Sequence, residues 1–211
     1  MDGRPGCLDL PLSEKPLIMV VNGYGTILDS PLGSIYLPRV KRVIEEQRPK
    51  MVILCGGKTF QKTMPNYSEA SVMEEWLREN LHPTIYGPPL GFRTEDVSYT
   101  TLENCLGAAY FMQVQAWRFW SGGRRGYFRV IHCCEATRAA HVIMLDRHIL
   151  IKKFQLVNSI DDITVETASW ERADPFKQVY AMIHSRMDIK YPWLHLANRE
   201  RKRRIKASKN R

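Results

Sequence analysis

Short, continuous, β-branched apolar runs alternate along this chain with longer segments of helical periodicity. That alternation narrows the possible folds more than any other feature. "LIMVV" (17–21) and "MVIL" (51–54) have no polar interruption, as expected of strands buried on both faces. Between and after them come helical patterns. Residues 36–47 carry Leu37, Val40, Val43 and Ile44 on one face, and residues 68–80 carry Ala70, Met73 and Leu77, with Trp76 beside them. Further helices are expected over 101–115, 135–149 and 174–187, the last with Asp174 as N-cap and Pro175 at its first position. Further strands are expected at 83–87, 127–134, 152–159 and 162–169. The alternation predicts an α/β, Rossmann-like three-layer fold with a mainly parallel sheet, right-handed crossovers and helices on both faces. "AWRFWSGGRRGY" (116–127) interrupts the pattern and reads as a surface loop or small hairpin.

Charge divides the chain in two. The net charge is +9, and residues 199–211, "RERKRRIKASKNR", hold eight of the 31 basic residues and one of the 22 acidic ones. The remainder is nearly balanced. The expected organisation is one α/β domain over 1–198 and a disordered basic tail over 199–211, whose weak nucleic-acid contact would depend on salt. Five cysteines without a CxxC or a regular framework suggest reduced thiols and a cytoplasmic setting. The polar start "MDGRPGCLDLPLSEK" resembles neither a signal peptide nor a membrane anchor, and no run is long enough to span a bilayer. No metal is expected: Cys133 and Cys134 face opposite ways on a strand, and no Cys/His spacing fits a zinc module.

In an open parallel sheet, ligands bind beyond the carboxyl ends of the strands. Four polar or glycine-rich tips follow the apolar runs: "NGYGT" (Asn22, Gly23, Gly25), "CGGK" (Gly56, Gly57), "TEDVSYTTLEN" (Glu95, Ser98, Thr101, Glu103, Asn104) and "CCEATR" (Glu135, Arg138). None is a dinucleotide fingerprint, since Leu28 occupies the third glycine position, and none is a P-loop, since Val52 stands where that motif needs glycine. The glycines serve either tight turns or close approach of backbone N–H groups to an anion. Ser68 and Glu69 suit a helix start, and Thr100 with Glu103 makes a capping box. Capping accounts for neither Asn104 nor Glu95.

Taken in order, these tips resemble the YdcF/SanA/ElyC-like family, a domain of unknown function widespread in bacteria. The resemblance rests on Arg39 entering the first helix, Gly56–Gly57, Ser68–Glu69–Ala70, and an E-x-x-S-x-x-T-x-E-N series at Glu95, Ser98, Thr101, Glu103 and Asn104. It covers about residues 17–150. The family carries a histidine three residues before an Arg-Ala; here Arg138–Ala139 follow Glu135. The resemblance implies a pocket at the strand tips and, for the soluble type, a nucleotide-like or other anionic ligand such as S-adenosylmethionine. In that reading Gly23, Gly25, Gly56 and Gly57 give backbone donors. Ser68, Ser98 and Thr101 give hydroxyls, Glu69, Glu103 and Asn104 orient polar groups, and Arg138 meets an anion. Whether turnover occurs is left open, with Glu69, Glu103 and Glu135 as candidate acids or bases. The alternative is a nucleic-acid-associated or scaffold protein using the basic tail, with a vestigial pocket.

Overall fold

The computed structural model describes residues 14–24, 28, 30–59, 61–82, 91–119, 127–169, 174–194 and 196–210. Five strands, β1 (Leu17–Asn22), β2 (Met51–Cys55), β3 (Gly91–Glu95), β4 (Arg129–Glu135) and β5 (Ile163–Ala168), form one sheet in the order β3-β2-β1-β4-β5. All four pairings are parallel. The chain is therefore α/β and Rossmann-like.

Helices α1 (Leu37–Gln47) and α2 (Glu69–Asn80) cover one face of the sheet; α3 (Thr101–Phe119) and α4 (Ala139–Asp146) cover the other. Strand alternation sorts the side chains. Met19, Val21, Val52 and Leu54 meet α1 and α2, while Ile18, Val20, Ile53 and Cys55 meet α3 and the turn after α4. Central strands buried on both faces need apolar residues at every position, which is why β1 and β2 read so clearly. Helices α5 (Pro175–Lys190) and α6 (Leu196–Ser208) follow β5; α5 packs on α4, and α6 on α5. No helix among the described residues is long and apolar enough to cross a membrane.

Three expectations need correction. The third strand is Gly91–Glu95, inside what reads as a loop. It lies at the sheet edge with only Phe92 and Glu95 buried, so it has no continuous apolar run. The strand expected at 83–87 falls outside the described residues, as does loop 120–126. No strand forms at 152–159. A wide helical turn (Arg147–Lys153) continues α4, Gln155 takes a left-handed φ of 55°, and the Leu156 and Val157 side chains enter the core. Finally, residues 199–208 of the basic tail are helical. α6 is held by an Arg201–Glu103 ion pair (2.9 Å), by Arg204 donating to the Tyr99 carbonyl (3.0 Å), and by Gln61 N–H donating to the Ser208 carbonyl (3.2 Å). Charge density indicates solvation of a tail in isolation, whereas here acidic and carbonyl acceptors on the body give the helix a surface to dock on.

Candidate ligand-binding site at the strand tips

The strand order reverses between β1 and β4: the chain moves outward from β1 to β2 and β3, then returns to the other side of β1. The carboxyl ends of β1 and β4 thus flank the crevice where such sheets bind ligands. Tyr24, just beyond β1, occupies it. Its hydroxyl accepts the Glu135 N–H (2.6 Å), its ring meets Tyr36 edge-on (centroids 4.9 Å), and the Arg138 guanidinium lies 4.4 Å from the ring centroid. No local signal announces this contact, whose partners lie 114 positions apart.

The described glycines play a different part from the one expected. The N–H groups of Gly23, Gly56 and Gly57 are taken by Cys55 O (2.6 Å), Glu95 O (2.8 Å) and Ser98 O (2.7 Å). They are not available to cradle an anion. Their value is close approach. A Cβ on Gly23 would lie 2.7 Å from Glu69 Cβ, and one on Gly56, whose φ is +151°, 2.8 Å from it. The two bare turns let the start of α2 sit directly over the tips of β1 and β2, where Ala70 N–H and Glu69 N–H donate to the Gly56 and Gly57 carbonyls. Glu69 is thereby buried above both tips and accepts a hydrogen bond from Thr59 Oγ1 (2.8 Å). Gly25 lies outside the described residues.

Several candidates are occupied elsewhere. Ser68 caps α2 by accepting from Ser71 N–H (3.0 Å). Glu103 closes the capping box by accepting from Tyr99 N–H (2.7 Å) and Thr100 N–H (3.1 Å), and it also holds Arg201. Glu135 caps the turn Ala136–Arg138 by accepting from Thr137 N–H (2.8 Å) and from the Thr137 hydroxyl. Arg39 pairs with Glu166 on β5 (2.6 Å). Glu103 and Arg39 are each held in an ion pair that sequence spacing does not reveal.

Two of the remaining candidates, Asn22 and Asn104, meet directly. Asn104 Nδ2 donates to Asn22 Oδ1 (3.1 Å), tying α3 to the tip of β1; both side chains are buried. An amide–amide pair joined by one bond leaves each amide with unused capacity. Glu95 packs under Gly107 of α3, where a Cβ would lie 2.5 Å from Glu95 Cγ, and its Oε1 accepts from Val97 N–H (3.2 Å). Among the described residues six buried side-chain N/O atoms have no hydrogen-bond partner. Four belong to expected site residues: Asn22 Nδ2, Asn104 Oδ1, Glu95 Oε2 and Arg138 Nε. Buried polar atoms are almost always paired, so such a concentration at one sheet edge marks a place built for something other than packing.

Burial pushes the Glu95 carboxyl above its ordinary value, against the opposing hydrogen bonds from Ser98 and Val97 N–H, with help from the Asp96 and Glu103 charges. The folded state therefore binds this proton more tightly than the unfolded chain. Its stabilising contribution is full below the ordinary value of 4.5 and is lost as pH rises through the folded-state value. Glu95→Gln is accordingly expected to melt at a higher temperature than the parent protein at pH 7, with the gap closing below the ordinary value. Thermal melts across pH 4–8 check this.

Of these groups Arg138 lines a cavity of about 460 Å³, enclosed by the start of α3, by α4, and by α5 and α6. Thr101, Arg138, His141, Lys177, Ser185 and Arg204 line it. His141 is buried; burial and the Arg138 charge push its imidazole down to about 4, so it is neutral at pH 7. Its Nε2 lies 2.9 Å from Ser185 Oγ, and its Nδ1 has no partner. The wall formed by α5 and α6 is a contribution no motif announces.

No family model, curated protein or solved structure matches this chain.

Proposed function

We propose that the protein is a YdcF-like protein that binds a nucleotide-like or other anionic small molecule, S-adenosylmethionine among them, in the cavity beside the strand tips. Arg138 carries the reading. Its guanidinium is stacked on Tyr24, its Nε is shielded from solvent without a partner, and it lines a cavity of the size that one nucleotide fills. A planar, fixed guanidinium suits a phosphate or carboxylate. The reading includes a cytoplasmic setting, supported by four unpaired, buried cysteines.

The test is a calorimetric and thermal-shift panel of S-adenosylmethionine, adenine nucleotides, pyrophosphate and a short single-stranded RNA. A small anionic ligand should bind the parent protein, and Arg138→Ala should weaken it about 10–100-fold, with Arg138→Lys failing to restore it. A small ligand held equally by Arg138→Ala would overturn the reading. RNA binding that falls with salt and is lost on deleting α6 would instead favour nucleic-acid association, for which the exposed Arg199, Lys202, Lys206 and Lys209 supply a basic face.

A further inference from the structure

One buried cluster stands apart from the cavity. Cys105 on α3, His132 on β4 and Asp146 at the end of α4 each offer a ligand atom, and these atoms all lie within 4.8 Å of one another. Each residue is about 1% exposed. His132 Nδ1 is 2.8 Å from Asp146 Oδ2, and His132 Nε2 has no partner. The three come from separate elements that strand alternation and the helix face aim at one point.

From this geometry we infer that Cys105, His132 and Asp146 form a structural binding site for a zinc-class divalent cation. The donor set of one thiolate, one imidazole and one carboxylate suits such an ion, which accepts sulfur, nitrogen and oxygen together. Charge points the same way. A buried charged carboxylate is compensated by a cation or by hydrogen bonds. Among the described residues, buried Asp162 has the Lys15 ammonium (2.8 Å), whereas Asp146 meets an imidazole and a thiol. A divalent cation with a thiolate, a carboxylate and a neutral imidazole sums to zero, the charge that the surrounding apolar core tolerates. Binding releases the Cys105 thiol proton to solvent as the sulfur–metal bond forms. Cys134, two residues along β4 from His132, lies on the same face of the sheet.

The experiment uses the full chain, expressed with zinc and freed of any histidine tag. Elemental analysis after gel filtration should find about one zinc per chain. Chelation followed by cobalt should give a thiolate-to-cobalt charge-transfer band, absent in Cys105→Ser and kept in Cys133→Ser, whose thiol faces the other side of the sheet. Since core variants risk unfolding, the parent protein carries a second readout: chelation should lower its melting temperature and zinc should restore it. Metal-free protein with no cobalt band, or a band that survives Cys105→Ser, would overturn the assignment.

Discussion

Gly56→Val is expected to cost the protein about 3–5 kcal/mol, enough to leave little folded protein at 37 °C. Two penalties add. The residue adopts φ +151°, which a β-branched side chain rarely takes, and its Cβ would lie 2.8 Å from Glu69 Cβ, at the first residue of α2. The clash is with the root of a side chain whose own N–H donates to the Gly57 carbonyl (3.0 Å), so retreat would pull α2 off the strand tips. Gly91→Ala is the control: nothing lies within 4 Å of its added Cβ. Urea unfolding of both variants checks the prediction. Equal midpoints would mean that the turn relaxes freely and that bare backbone is not what seats α2.

Asn104→Ala should cost about 2–3 kcal/mol, because it strands a fully buried Asn22 amide whose hydrogen-bond partner is gone. Asn22→Ala should cost a similar amount. The double variant should cost less than the sum, with a coupling of about 1 kcal/mol or more, since the second substitution removes an amide already left unpaired. Denaturant melts of the four proteins close the cycle. Simple additivity would show that the two amides act independently, and that Asn104 serves its own helix start. The helix cap itself runs through Thr100 and Glu103 and predicts no coupling to Asn22.

The legible part of this fold is the part whose signal is local. β1 and β2 are central and apolar throughout, α1 and α2 have clear faces, and Asp174 caps α5 by accepting from Phe176 N–H and Lys177 N–H. β3 is obscure because an edge strand with two buried residues has no pattern to read. Residues 152–159 mislead for the opposite reason: Leu156 and Val157 are apolar because they fill the core, and they do so from an irregular segment.

The site divides along the same line. Residue types and spacing placed Asn22, Glu95, Asn104 and Arg138 at strand tips and helix starts, because a parallel sheet brings every such tip to one edge. The capping role of Ser68 and the T-x-x-E box at Thr100 and Glu103 were equally local matters. What each group faces was decided only by tertiary contacts. Glu166, 127 positions from Arg39, takes that arginine. Arg201 takes Glu103, Tyr24 supports Arg138, and α5 and α6 wall the cavity. A hydrogen bond or ion pair depends on distance, and distances between residues far apart in the chain are set by how layers pack, which no local pattern encodes.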